Sequence, residues 1–179
     1  MSILVLGDSI AAADPVPVEG RWSAQLETLW PSESPGFAAS VINRAQGGSE
    51  VDLLEREAES LQLDQFDIVF VMSGVNDIES RPIAVWRSRY GAVVEQLRQG
   101  GVTVVVGTPP PEYINGVYTD RYLPIVEALR EIAVGGPILD LDRHWRQMVE
   151  PGAFHLDWIH PNEPAQAVTA RLAADIVLE

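Results

Sequence analysis

The chain has 179 residues and a formal net charge of −14 at pH 7, because 26 acidic residues outnumber 12 basic ones. All of these basic residues are arginines and cysteine is absent, which excludes lysine and cysteine nucleophiles, disulfide frameworks and thiolate zinc sites. A chain with this negative charge should repel nucleic acids and anionic membranes. Its apolar runs are all much shorter than the roughly 20 residues of a membrane-spanning helix.

The length corresponds to about one domain, so we expect residues 1–179 to form a single domain. Met1 and Ser2 are followed directly by the apolar run Ile3 to Leu6. A secretion signal would need a basic start and a longer apolar stretch. The start of the chain therefore predicts a buried strand, and we expect a cytoplasmic protein with no integral membrane association.

Short runs containing Val and Ile predict strands, and those that are apolar throughout are typical of a parallel sheet buried on both faces. In chain order they are Ile3 to Leu6, Ser40 to Asn43, Ile68 to Met72, Val102 to Val106 and Pro137 to Leu139. Between them, apolar residues spaced by three and four predict helices packed on one face. These are Trp22 to Leu29, Val51 to Leu61, Trp86 to Leu97, Tyr122 to Ile132 and Ala165 to Ile176. This alternation implies right-handed crossovers and a three-layer α/β/α sandwich around a five-stranded parallel sheet.

Polar residues and glycines cluster where the predicted strands end, and a further cluster precedes the last helix. In an open parallel sheet, ligands bind beyond the carboxyl ends of the strands, so these segments should converge on one edge. The segments are Gly7-Asp8-Ser9, Asn43 to Ser49, Ser73 to Asp77 and Asp157 to Asn162.

Three of these side chains have the chemistry of a serine hydrolase. Ser9 is a hydroxyl on a turn, which becomes a nucleophile only when a base removes its proton. His160 has the right basicity for that role, and Asp157, three residues earlier, can accept the other imidazole N–H. The alternative is that Asp157 and His160 form a surface pair of little energetic value.

An oxyanion that develops during such a reaction needs hydrogen-bond donors. The backbone N–H groups of Ser9 and Gly48 and the side-chain amide of Asn76 are candidates. The alternatives are that Gly47 and Gly48 form an ordinary turn, and that Asp77 caps the following helix while Asn76 has no role.

These motifs resemble the signature blocks of the SGNH hydrolases, also called GDSL esterases and lipases. The family pattern is Gly-Asp-Ser near the N-terminus, a Gly after strand two, Gly-x-Asn-Asp after strand three, and Asp-x-x-His near the C-terminus. The sequence contains, in the same order, Gly7-Asp8-Ser9, Gly48, Gly74-Val75-Asn76-Asp77 and Asp157-Trp158-Ile159-His160.

The resemblance implies a flavodoxin-like SGNH hydrolase fold with a triad of Ser9, His160 and Asp157. It also implies that the N–H groups of Ser9 and Gly48 and the Asn76 amide form the oxyanion hole, while Asp8 orders the nucleophile turn. One departure is Ala45, where the family often has glycine. Gly48 lies five residues after Asn43, as in the family pattern; its neighbour Gly47 is the alternative.

We therefore expect a serine esterase that needs neither a metal nor a cofactor and acts on a small-molecule or carbohydrate ester. A chain of this length has no room for a lid domain, so an open pocket and short acyl groups, above all acetyl, are expected. Trp158 is a candidate to contact the acyl group or stack on a sugar, with core packing as its alternative, and Tyr113 is a candidate rim residue.

Two other classes of protein remain possible for this sequence: a non-catalytic carbohydrate-binding or scaffold domain on the same fold, and a flavodoxin-like nucleotide- or phosphate-binding protein. The oligomeric state is not predicted.

Overall fold

The computed structural model describes residues 1–33, 39–148 and 151–178. The strands are β1 Ser2–Gly7, β2 Ser40–Asn43, β3 Ile68–Met72, β4 Thr103–Thr108, β5 Tyr113–Ile114, β6 Val117–Tyr118 and β7 Ile138–Asp140. The helices are α1 Ser9–Ala12, α2 Trp22–Glu33, α3 Val51–Ser60, α4 Asp77–Ser80, α5 Ile83–Gln99, α6 Leu123–Ile132, α7 Leu141–Arg146 and α8 Glu163–Leu178. Within the described part of the chain, no helix is both long and apolar enough to cross a bilayer.

Five strands form one parallel sheet in the order β2-β1-β3-β4-β7, which confirms the predicted fold class. Each predicted strand lies within two residues of its observed bounds. The sequence did not predict the short antiparallel hairpin of β5 and β6. Asn115 and Gly116 close this hairpin with φ angles of 52° and 85°, the left-handed backbone that such a turn requires.

Side chains alternate between the two faces of the sheet, and each face has its own apolar core. Ile3, Val5, Phe70 and Met72 pack with Trp22, Leu26 and the small residues of α8 on one face. On the other face, Leu4, Leu6, Val69 and Val71 pack with Val51 and Leu54 of α3, Trp86 and Tyr90 of α5, and Ile125 of α6. This burial of both faces explains the continuous apolar runs and gives the three-layer sandwich.

The order of the strands reverses between β1 and β3, which are hydrogen-bonded neighbours. Chains leaving the two strands diverge here and leave a crevice, the usual ligand position in such a sheet. At the end of β1, Gly7 has a φ of 147°, and a Cβ atom on it would lie 1.8 Å from the carbonyl oxygen of Met72. Glycine is therefore required at the point where the chain turns from the sheet toward Ser9.

We predict that Gly7→Ala destabilises the fold by more than about 3 kcal/mol, because the methyl group meets backbone atoms of β3 in a strained conformation. Gly91→Ala is a matched control within α5, where the nearest atoms to a Cβ are 4.0 Å away on Ile132. It should stabilise the protein by about 0.5–1 kcal/mol through helix propensity. Denaturant unfolding of both variants tests this; a Gly7→Ala variant within 1 kcal/mol of the wild type contradicts the steric argument.

Candidate active site

Ser9 is the first residue of α1 and follows β1 after a single residue, Asp8. Asp8 is the N-cap of this short helix, and its Oδ1 accepts a 3.0 Å hydrogen bond from the N–H of Ile10. The N–H of Ser9 lies in the first turn, where backbone donors have no acceptor within the helix. The turn thus exposes both the hydroxyl and the N–H of Ser9 at the crevice.

Ser9, His160 and Asp157 form a continuous chain of hydrogen bonds. The Oγ of Ser9 lies 2.9 Å from Nε2 of His160, and Nδ1 of His160 lies 2.7 Å from Oδ2 of Asp157. With Nδ1–H donating to the carboxylate, Nε2 is left to accept the proton of the hydroxyl. Asp157 and His160, for which an isolated surface pair was the alternative, are thus connected to the serine, which lies 151 positions before His160 in the sequence.

Asp157 also fixes the turn that carries His160. Its Oδ1 accepts hydrogen bonds of 2.8 Å from the backbone N–H groups of both Ile159 and His160. Partial burial raises the pKa of Asp157, but these N–H groups and the imidazole more than offset that effect and hold the pKa below its ordinary value. The carboxylate therefore stays ionised beside the imidazole.

Backbone hydrogen bonds hold the segment around His160 against its neighbours. The N–H of Leu156 donates to the carbonyl oxygen of His160 at 2.8 Å. The N–H of Tyr113 in β5 donates to the carbonyl oxygen of Trp158 at 2.7 Å. Asn162 directly precedes α8 and caps it, because its Oδ1 accepts a 3.1 Å hydrogen bond from the N–H of Ala165. The histidine is thus attached to both the hairpin and the last helix.

The two adjacent glycines after β2 have different surroundings. Gly48 lines the cleft with a φ of 74°, no atom lies within 4 Å of a Cβ built on it, and its N–H has no acceptor among the described residues. A Cβ on Gly47 would instead lie 2.4 Å from Oδ2 of Asp14. Of the two, Gly48 is the residue that faces the cleft.

Asn76 and Asp77 point to different parts of the molecule. Nδ2 of Asn76 donates a 2.8 Å hydrogen bond to the carbonyl oxygen of Ser49, which leaves its second N–H for the cleft. Asp77 is buried, and its Oδ1 accepts a 3.1 Å bond from the N–H of Val51 at the start of α3. The alternative in which Asp77 caps the helix that follows it is therefore wrong, because it caps a different helix.

The carboxylate of Asp8 joins the turn after β1 to the turn after β3. Its Oδ2 accepts hydrogen bonds from the N–H groups of Gly74 at 3.1 Å and Val75 at 3.4 Å. The residue is only 1% exposed. Burial raises the pKa of Asp8 to about 6, although the three backbone donors act in the opposite direction.

Ser9 lines an open cleft of ≈ 340 Å³. The cleft is lined by Ser9, Gly48, Val75, Asn76, Glu79, Arg121, Tyr122, Trp158, Ile159 and His160. Trp158 is 45% exposed, so the alternative of core packing is wrong for it. The structure brings together all the predicted triad and oxyanion residues.

Tyr113 occupies a different place. Its ring stacks on that of His155 with the centroids 5.6 Å apart and packs against Tyr118, and it is not among the described residues that line the cleft. Its contribution to the site is the backbone hydrogen bond to Trp158. Tyr113 was a rim candidate because it follows three consecutive prolines, Pro109 to Pro111, which predicted a loop, whereas the hairpin that turns its ring aside was not predicted.

Sequence reasoning missed two charged residues of the cleft, Glu79 and Arg121. Glu79 lies in the short helix α4, two residues after the third motif, and Arg121 lies two residues before α6. Each resembles an ordinary solvated charge in the sequence. The only available signal was their nearness in sequence to predicted strand and helix ends.

Other acidic residues are paired with arginines and do not surround a cation site. Arg130 contacts Asp140 at 2.9 Å and Asp142 at 3.0 Å, and Arg146 contacts Asp142 at 2.8 Å. Across residues 1–33, 39–148 and 151–178, no group of three or more acidic or histidine side chains has a geometry that could hold a metal ion.

Comparisons with known proteins find a family model and several solved structures that are similar to this chain. The model of the GDSL-like lipase/acylhydrolase family matches residues 5–168. Among similar solved structures is Axe2, an acetylxylan esterase from Geobacillus stearothermophilus, with a TM-score of 0.79 and 18% identity over 98% of this chain and 93% of that chain. The acetyl xylan esterase AlAXEase has a TM-score of 0.80 and 18% identity, covering 99% of this chain and 100% of that one. TesA has a TM-score of 0.79 and 19% identity, covering 99% and 98%.

These structural likenesses, all at identities below 20%, establish the fold alone. No curated protein has significant sequence similarity to the chain.

We predict that Asp8 makes the folded state less stable as the pH rises from about 4 to about 6. Its pKa is raised from 3.8 to about 6 in the folded protein, so the folded state binds this proton more tightly than the unfolded chain does. The stabilisation by protonation is complete below the unfolded pKa and is lost as the pH passes the folded pKa. By linkage, this rise in the pKa of Asp8 corresponds to a change of roughly 3 kcal/mol in the free energy of unfolding.

Denaturant unfolding between pH 4 and pH 7, compared with Asp8→Asn, measures this difference. NMR titration of the Asp8 carboxyl group measures its pKa in the folded protein directly, without a variant. A measured pKa at or below 4 contradicts the prediction.

Proposed function

Since the chain belongs to the GDSL-like lipase/acylhydrolase family and is a carboxylic ester hydrolase, we propose that it is a serine esterase whose catalytic triad is Ser9, His160 and Asp157. The oxyanion hole consists of the backbone N–H groups of Ser9 and Gly48 and the side-chain amide of Asn76. Residues 1–179 act as one catalytic domain.

One observation carries the proposal: a nucleophile, a base and an orienting carboxylate are hydrogen-bonded in series, at 2.9 Å and 2.7 Å. Such a series is what activates a serine hydroxyl. The three proposed donors belong to the same cleft as Ser9, which supports their role in stabilising a developing oxyanion.

The proposed reaction begins with a neutral imidazole. Nε2 of His160 takes the proton of Ser9 as the oxygen attacks the ester carbonyl, and Asp157 stabilises the imidazolium that forms. The carbonyl oxygen becomes an oxyanion, which the three N–H donors bind. Since two donors are backbone groups and Ser49 fixes the third, the hole is preorganised and needs little rearrangement as charge develops.

Collapse of the tetrahedral intermediate completes acylation. The alcohol leaves with the proton from His160, and the acyl group remains on Ser9. Water then attacks the acyl-enzyme, with His160 taking a proton from the water and returning it to Ser9. The products are a carboxylic acid and free enzyme.

We predict that Ser9→Ala removes at least about 99.9% of the turnover of p-nitrophenyl acetate, because triad serines contribute several orders of magnitude. Ser60→Ala is a matched control: its hydroxyl contacts the carbonyl oxygen of Glu57 on the exposed surface of α3, so its activity should equal that of the wild type. A fluorophosphonate should label the wild type and Ser60→Ala but not Ser9→Ala.

Unchanged turnover in Ser9→Ala would refute the triad. A wild-type chain that neither turns over esters nor reacts with the fluorophosphonate would instead favour a non-catalytic role for the same cleft.

The substrates we propose are short-chain esters, above all acetyl esters, of small alcohols or carbohydrates. The cleft volume is at the lower end of the range for small-molecule sites, which supports small groups. The exposed indole of Trp158 supplies an apolar face of the kind that packs on a sugar ring. Two of the structurally similar proteins are named as acetylxylan esterases, which agrees with this class.

We predict that kcat/KM falls by at least about tenfold from p-nitrophenyl acetate to p-nitrophenyl octanoate, because the longer chain exceeds the cleft. Trp158→Ala should lower kcat/KM more for an acetylated xylooligosaccharide than for p-nitrophenyl acetate. A profile that rises toward octanoate would show an extended acyl site and contradict the short-chain assignment, whatever the result for Ser9→Ala.

A further inference from the structure

Arg121 is the one arginine among the described residues that line the cleft. The central carbon of its guanidinium lies 5.5 Å from the ring centroid of Tyr122 and 5.6 Å from that of Trp158. A cation at these distances from two aromatic faces is attracted to both rings. Arg121 therefore places a positive charge beside the proposed substrate position.

A buried carboxylate holds Arg121 in this place. Glu112 is only 4% exposed, and its Oε1 accepts a 3.0 Å hydrogen bond from Nη1 of Arg121. The hydroxyl of Thr119 donates to its Oε2 at 2.6 Å. Movement of Arg121 away from Glu112 would leave a buried charge without its main partner, which is costly. The guanidinium is thus a fixed part of the cleft wall.

Glu79 pairs with the other side of the same guanidinium, through Nη2 of Arg121. Its side chain is 74% exposed, in contrast to that of Glu112. It comes from α4, after β3, whereas Arg121 precedes α6, so the pair connects two walls of the cleft. An exposed pair of this kind is weak, and its main effect is on the local charge.

Negative charge therefore exceeds positive charge around Arg121, which disfavours anions. Two carboxylates face one guanidinium, and Glu79 occupies the group that a negatively charged substrate would otherwise bind. Removal of Glu79 alone would leave Nη2 of Arg121 free, with its position still fixed by Glu112. Glu79 thus covers the part of the guanidinium that Glu112 leaves uncovered.

We propose that Glu79 and Arg121 form a charge filter that makes the enzyme select uncharged esters and reject those with an anionic group near the reacting carbonyl. This proposal rests on the proposed function of the cleft and names specificity-determining residues for it. The filter acts locally, apart from the general repulsion of anions by a chain of charge −14.

The test compares esters that differ by one negative charge on either side of the carbonyl. p-Nitrophenyl hemisuccinate and p-nitrophenyl butyrate differ in the acyl part, and 4-acetoxybenzoate and phenyl acetate differ in the leaving group. In Glu79→Gln, the ratio of kcat/KM for the anionic ester to that for the neutral ester should rise about fivefold in at least one pair, which is the range of one exposed charge pair. The gain should shrink as salt is added, because salt screens exposed charges.

Two further variants separate the filter from a general effect of charge. Glu131→Gln changes the net charge by the same amount, but Glu131 pairs with Arg87 on the exposed surface between α5 and α6. The ratio of kcat/KM for the anionic ester to that for the neutral ester should therefore be the same in this variant as in the wild type. In the double variant Glu79→Gln, Arg121→Gln the gain should disappear. Equal ratios in Glu79→Gln and the wild type, equal gains in Glu79→Gln and Glu131→Gln, or a gain that persists in the double variant would each overturn the proposal.

Ser9→Ala is run with the same esters. If it keeps their turnover, the proposed function fails; if it loses turnover while Glu79→Gln leaves the ratios unchanged, only the filter fails.

Discussion

The geometry of the site depends on one buried carboxylate, that of Asp8. Between β1 and β3, the backbone hydrogen bonds end where the N–H of Asp8 donates to the carbonyl oxygen of Met72 at 3.0 Å, so the turns that follow must be connected by side chains. Asp8 supplies this connection, because it accepts an N–H from the turn of Ser9 and two from the turn that leads to Asn76. The proposed nucleophile and one proposed oxyanion donor are thereby held by the same side chain. Its burial raises its pKa, and the three backbone donors limit the energetic cost of the charge.

The sheet was predictable because the apolar runs are dictated by burial on both faces. Val69 and Val71 face one core and Phe70 the other, so no polar residue is tolerated between them. The convergence of the motifs was predictable for a related reason. Parallel strands present all their carboxyl ends at one edge, and any polar cluster that follows a strand must lie there. Ser9 and Asn76 needed only this rule to be placed together.

The remaining parts of the site depend on tertiary contacts that leave no local pattern. Arg121 lies in the cleft because Glu112, nine positions earlier, is buried in the loop after β4. The ring of Tyr113 is turned away because a two-residue hairpin packs it on His155. Asp77 caps α3 and not α4, an interaction between residues 26 positions apart. A single sequence contains no periodicity or spacing from which these three pairings follow.

The turn from Asp157 to His160 joins an acid and a base within four consecutive residues, by hydrogen bonds that involve only the turn itself. Closing so short a loop costs little chain entropy, so this pair can form early, before distant parts of the chain meet. The contact of His160 with Ser9 closes almost the entire polypeptide and must await the assembled sheet. The arrangement proposed for hydrolysis is consequently completed late in folding, and a nascent or partly unfolded chain, in which Ser9 and His160 are still apart, should be chemically inert.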